Sequence, residues 1–366
     1  MADSRIQKLA SILVHYSLEV KAGQQLAIMT TPLAEELTLA VYTEAIKTGA
    51  HVTTLIHVPG AREALLKHGN EAQLTRVPPD LKVVVETFDA LLSIGAEYNT
   101  RSMNGVSPER MALAHSSQGP LLETLGQRFA NKEFNWAFTV FPTQAAAQEA
   151  DMSLADYCEF VYGAGLLNEA DPVSLWKAEG ERQKRLIEWL AGKDHVTLKG
   201  SNIDLTLSIA GRNFLEANGR ANFPDGEIYT SPVEDSVNGW VRFRYPAIYA
   251  GQEVVDIELW FENGKVVKEK AAKGQELLTS LLNQYEGARV LGELGIGTNY
   301  GIQRFTKHIL FDEKLGGTIH LAVGRGFPEA GGKNHSSLHW DMLCDMAESE
   351  ITVDGALFYK NGKPVI

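Results

Sequence analysis

Cysteine is nearly absent. The 366 residues include only Cys158 and Cys344, too few for a disulfide framework or a cysteine-held metal cluster. Long apolar runs are missing too, and no stretch approaches the roughly 18 apolar residues of a membrane-spanning helix. The start, Met1-Ala2-Asp3-Ser4-Arg5, lacks the apolar core and cleavage site of a signal peptide. Basic side chains are in deficit: 34 Lys and Arg against 46 Asp and Glu leave a formal charge of −12, which opposes binding to phosphate backbones and anionic lipid. These absences predict a protein of the reducing cytoplasm with neither nucleic acid nor membrane as partner. With 44% hydrophobic and 22% charged residues, the whole chain is expected to fold.

The length suggests two domains. Up to about residue 193, helical and strand patterns alternate, which predicts an α/β domain with a mainly parallel sheet. Residues 33–48 read as a helix entered through Thr31-Pro32 and ended by Gly49. Residues 26–29, 51–57, 81–86, 90–94 and 136–141 read as strands, and 153–162 and 172–191 as helices. No glycine-rich phosphate loop follows any of these strands, so the doubly wound pattern comes without a nucleotide fingerprint.

At Gly192-Lys193-Asp194 the pattern changes, and the boundary is placed there: 1–193 as the N-terminal α/β domain, 194–366 as a β-rich α+β domain. Strands are expected at 195–199, 203–207, 240–243, 254–261, 265–270, 318–323 and 350–353, with one helix at 274–283. Asn263-Gly264 and Asn361-Gly362 are strong hairpin signals.

Candidate chemistry gathers in this second half, at Glu227, Glu293, Glu313, His320, His339 and Asp341. Glu227 follows Pro224-Asp225-Gly226, a turn able to present one carboxylate at a fixed angle, though a solvated turn acid would look the same. Glu293 interrupts the apolar, glycine-rich run from Leu291 to Asn299, where burial would demand a cation or donors. His339 and Asp341, two apart on a strand, point to one face and can reach one metal ion, yet His-x-Asp is a short pattern that also arises by chance. His320 is the polar aromatic of an apolar strand, and Glu313 can meet it if Gly316-Gly317 folds the chain back. Carboxylates with two imidazoles suit Zn²⁺, Mn²⁺ or Co²⁺. A carboxylate-rich set also suits a pair of ions, and that points to hydrolysis by a metal-held water.

At these residues the sequence resembles the thermophilic metallo-aminopeptidase family, which includes the aminopeptidase T and S types and many proteins labelled leucyl aminopeptidase. The likeness spans the chain and is strongest at 222–227, 291–299, 311–320 and His339-Trp340-Asp341. It implies two divalent ions per chain (Zn²⁺, Co²⁺ or Mn²⁺) held by Glu227, Glu293, His320, His339 and Asp341, with Glu313 as general acid or base. It also implies short peptide substrates cleaved at the N-terminal residue, and a homodimer that encloses the site. Two departures stand out. Residues 314–319 lengthen the link between Glu313 and His320, and Phe327 occupies a position where the family often has tyrosine. A phenyl ring cannot donate to an oxyanion, and Tyr300 or Lys333 are substitute donors to consider. The rival readings are a mononuclear Fe²⁺ ring-cleaving dioxygenase of the same superfamily and a non-catalytic metal-binding homologue.

Overall fold

The computed structural model describes residues 3–116, 119–249 and 251–366, so Met1 and Ala2 of the polar start lie outside it. By internal contacts the chain forms two compact units, Met1–Val173 with Gly219–Pro224, and Ser174–Asn218 with Asp225–Ile366.

The first unit is built on a five-stranded parallel sheet in the order His51–Ile56, Gln25–Thr30, Ala90–Gly95, Asn135–Val140, Asn222–Phe223. Parallel strands need covered crossovers, and the central strands are apolar on both faces accordingly; Ala27 and Leu91 are buried with Val84 and Phe134. The predicted helix after Pro32 is found as a short 3-10 turn, Pro32–Ala34, leading into Glu35–Lys47. Residues 81–86, read as a strand, are instead part of the helix Pro79–Thr87. Val83-Val84-Val85 carries β-propensity, but Pro79 opens a helix and Leu81, Val84, Val85 and Phe88 fall at the spacing of one helical face. The helices Ala61–His68, Pro108–Ser116 and Gly119–Ala130 were not anticipated.

The second unit contains an eight-stranded antiparallel sheet and a five-stranded one. Their inner faces meet in one core: Ile203, Leu205 and Val241 from the larger sheet pack with Leu294, Ile319 and Leu321 from the smaller. Leu278, Leu281 and Leu282 of the helix Gln275–Gln284 and Leu186 and Leu190 of the helix Pro172–Leu190 join it. The edge of the compact unit, between Val173 and Ser174, thus falls in the first turn of the long helix, whereas the change of sequence pattern comes after it. The segment 254–261, read as one strand, is split into Gln252–Val254 and Ile257–Glu262. Asp256 between them adopts a left-handed backbone, φ 55°, which no continuous strand tolerates. Asn263-Gly264 closes the hairpin onto Lys265–Lys270 as expected.

Candidate metal centre

The smaller sheet runs His339–Asp345, Thr318–Gly324, Leu291–Gly297, Glu227–Thr230, Leu215–Ala217, every pairing antiparallel. Its register sets Ala322 opposite both Glu293 and Asp341, Gly324 opposite His339, Gly295 opposite both His320 and Tyr229, and Gly297 opposite Glu227. Paired residues and alternate residues share a face. Glu227, Glu293, His320, His339 and Asp341 therefore all project from one side. The intervening Ile228, Leu294, Ile296, Ile319, Leu321, Val323, Trp340 and Met342 fill the core on the other.

Two glycines make this face possible. A Cβ on Gly295 would stand 2.0 Å from the His320 ring, so the imidazole lies across the strand where only hydrogen fits. Gly226 has φ +126°, and its turn is pinned by Thr298 N donating to Gly226 O and Asn299 Nδ2 donating to Asp225 O, each at 2.8 Å. Glu227 thus leaves the turn at a fixed angle. Gly295→Ala is expected to displace His320 and lower bound metal, measured by elemental analysis on folded protein; unchanged metal content would refute this packing account.

The five side chains form a row of alternating sign. His320 Nε2 is 3.2 Å from Glu227 Oε2 and 3.4 Å from Glu293 Oε1. His339 Nε2 is 3.0 Å from Glu293 Oε2 and 3.5 Å from Asp341 Oδ1. His339 Nδ1 lies 2.8 Å from Arg325 O. A carbonyl can only accept, so the ring proton sits on Nδ1 and Nε2 faces the carboxylates. Within each of two groups, Glu227–Glu293–His320 and Glu293–His339–Asp341, one donor atom per residue lies within 4.8 Å of the others.

These donors fit a divalent cation. Ligand atoms about 2.1 Å from a tetrahedral ion stand about 3.4 Å apart, close to the separations above. Glu227 Oε2, Asp341 Oδ1 and His320 Nδ1 are buried without a hydrogen bond, and the two oxygens are acceptors aimed where a cation would satisfy them.

Electrostatics in the metal-free cluster agree. Burial alone would lower the His320 pKa, but Glu227 and Glu293 outweigh it and push it up to about 10. For His339 burial again opposes, and Asp341 and Glu293 push it up to about 11. Burial dominates at Glu227, raised to about 8 despite Lys314. At Glu293 the hydrogen bonds to His320 and His339 overcome burial and lower the pKa. Metal ions bind neutral imidazole, so each ring that is cationic near pH 7 must lose a proton on ligation. Apparent affinity is therefore expected to rise with pH between 6 and 9, by about tenfold per unit for each proton that ligation releases from His320, His339 or Glu227. Calorimetry in buffers of different ionisation enthalpy reads the released protons directly; a pH-independent affinity would contradict the arrangement.

Glu313 follows the short helix Ile309–Asp312 and hydrogen-bonds Lys314 Nζ. Burial raises its pKa, with Lys314 opposing. Lys314 Nζ donates to both Glu313 Oε1 and Glu227 Oε1, so Glu313 lies one side chain away from the row. Sequence reasoning missed Lys314 altogether. Its side chain is fully buried, with Nζ 2.7 Å from Glu227 Oε1 and 3.7 Å from Asp225 Oδ1. No local signal marks it: Lys314 follows Asp312-Glu313 and precedes Leu315-Gly316-Gly317, a setting in which a surface lysine would look the same.

Phe327 packs edge-on against both His339 and Tyr229, with centroids 5.1 Å apart in each case, and so forms a wall of the centre. Tyr300 donates its hydroxyl to Gly362 O at 2.9 Å, so that donor is turned away from the row; Lys333 is exposed, with its backbone N–H donating to Glu234 Oε1 at 2.7 Å. Beside His339 and Asp341 opens a cavity of about 200 Å³ walled by Ile248, Tyr249, Phe305 and Ile309. A larger one of about 470 Å³ in the first unit, against Pro32, Leu39 and Tyr42, contains none of the candidate ligands.

A family model described as thermophilic metalloprotease (M29) matches residues 2–365. Aminopeptidase 2 of Geobacillus stearothermophilus is 25% identical, the match covering 99% of this chain and 95% of that protein. The solved structure of wild-type AmpT from Thermus thermophilus superposes with a TM-score of 0.84 at 21% identity, covering 99% of each chain. The 2,5-dihydroxypyridine dioxygenase of Pseudomonas putida KT2440 shares the fold more distantly, with a TM-score of 0.61 at 14% identity over 100% of this chain and 98% of that one.

Proposed function

Because the chain belongs to the thermophilic metalloprotease (M29) family, it is a metal-dependent peptidase, and we propose that it removes the N-terminal residue from short peptides at a site for two divalent ions. The observation that carries the two-ion reading is Glu293, whose Oε1 faces His320 and whose Oε2 faces His339. One carboxylate thus belongs to both ligand groups. Glu227 and His320 complete one group, His339 and Asp341 the other, and Zn²⁺, Co²⁺ and Mn²⁺ suit both donor sets.

When bound, divalent ions supply a water acidic enough to attack at neutral pH and polarise the scissile carbonyl. The chain's own residues do the rest. Glu313 takes the proton of the attacking water and returns it to the leaving amine; burial lifts its pKa toward the range that such a shuttle needs. The cavity beside His339 and Asp341, walled by Ile248, Tyr249, Phe305 and Ile309 together with Lys307 and Asp312, receives the first side chain.

The test is metal analysis of protein purified without chelator, with a panel of aminoacyl amides and their N-acetylated forms assayed in parallel. Two ions per chain and release of the N-terminal residue from the free-amine substrates support the reading. Equal cleavage of the acetylated forms would exclude an aminopeptidase. His320, His339 and Asp341 by themselves would make a two-histidine, one-carboxylate iron site. One iron and no amide cleavage would therefore favour the dioxygenase chemistry of the more distant structural relative.

A second copy of the chain is the partner we infer. Leu39, Ile46 and Ile56 are exposed beside the edge strand His51–Ile56, a surface that natural proteins usually cover. Light scattering decides between monomer and dimer. A cytoplasmic setting accords with Cys158 and Cys344 both being free thiols, and fractionation of the source cells tests it. Among the described residues no helix is long and apolar enough to cross a membrane.

A further inference from the structure

Lys314 lies at one end of the row of ligands. Its side chain is 0% exposed, a condition that lysine tolerates only when its charge is matched. Three carboxylates match it: Glu227 Oε1 at 2.7 Å, Glu313 through a hydrogen bond, and Asp225 Oδ1 at 3.7 Å. The direct ion pairs run in the order Lys314, Glu227, His320, Glu293, His339, Asp341; Lys314 touches Glu227 and reaches Asp341 only at longer range.

This order makes the two ligand groups unequal. In Glu227–Glu293–His320, the ammonium already engages Glu227 Oε1 and leaves only Oε2 facing His320. A divalent ion there would have a fixed positive charge one carboxylate away, and two cations that close repel strongly in a buried setting. In Glu293–His339–Asp341, neither Glu293 nor Asp341 has a lysine or arginine among its ion-pair partners at the described residues. The same ammonium ties Glu313 to Glu227, so the proposed proton shuttle and the ligand are held by one side chain.

We propose that Lys314 is a built-in cation of the centre, a positioning residue that holds Glu227 and Glu313 together and makes Glu227–Glu293–His320 the weaker of two divalent-cation sites. This rests on the two-ion reading given above. The consequence is stepwise loading: Glu293–His339–Asp341 fills first, and the group next to Lys314 fills only at higher metal concentration.

The experiment is a Co²⁺ titration of the chelator-stripped full chain, followed by equilibrium dialysis and by the visible absorption of bound cobalt. Two steps separated by at least tenfold in Kd are expected. Glu227→Gln should delete the weaker step and leave the tighter one. Lys314→Met, which removes the charge at similar length, should tighten the weaker step and bring the two within about threefold. Equal affinities in the unmodified protein, loss of the tight step in Glu227→Gln, or an unchanged gap in a folded Lys314→Met would each overturn the proposal. Should Lys314→Met not fold, the unmodified protein and Glu227→Gln decide the matter alone. A single ion in every protein would remove the two-ion reading and this inference with it, an outcome distinct from two ions bound equally, which removes only the inference.

Discussion

Replacing Glu313 with glutamine is expected to lower kcat by about 10²–10⁴-fold, the usual contribution of a positioned proton-transfer group, while bound metal stays at the unmodified level. Glutamine keeps the size of the side chain and can still accept from Lys314 Nζ, the contact that anchors residue 313. It cannot take up a proton from water. Glu313 falls in neither of the two converging ligand groups, so metal analysis and turnover should separate cleanly. Loss of metal with loss of turnover would instead make Glu313 a ligand, and normal turnover would sink its role.

Glu293→Gln should have a broader effect, because one carboxylate serves both groups. Losing even a residue that only orients a metal ligand costs about 10–100-fold in affinity, and here a ligand common to both sites is lost. Metal content is expected to fall below one ion per chain and activity by at least about 10³-fold, since both water activation and carbonyl polarisation depend on the metal. Asp341→Asn is the contrast: Asp341 belongs to one group only, so about one ion should remain. If Glu293→Gln kept two ions, Glu293 would not be shared and the two-ion geometry would have to be redrawn. Circular dichroism must accompany both, because Glu293 balances two imidazoles in the buried row.

Much of this was readable in advance. Local pattern located most of the longer strands, because alternation, turn chemistry and helix caps act over short windows. It failed where local and longer-range signals disagreed. The valines at 83–85 suggested a strand, but the proline before them and the packing against the sheet settled on a helix. The run 291–299 is apolar and glycine-rich, and local pattern assigns it no element. It contains a fully buried central strand, Leu291–Gly297, in which Gly295 leaves room for the His320 side chain of a neighbouring strand. That need is created by His320 across the sheet and cannot be seen from the run itself. Lys314 was invisible for the same reason. A lysine is read as a surface residue until the acids of a segment almost ninety positions earlier are brought to it.

The alternation of ligands and core residues along the smaller sheet bears on how the protein matures. The strands carrying Glu227, Glu293, His320, His339 and Asp341 are spread over more than a hundred positions of chain, and no two neighbouring strands complete either ligand group. A slip of one residue in any pairing would turn acids into the oily interior and valines or leucines toward the ions. The centre therefore comes into being all at once, when the last strand docks in register, and not piecemeal as the chain lengthens. Metal uptake by a refolding chain would mark the moment at which sheet assembly is finished.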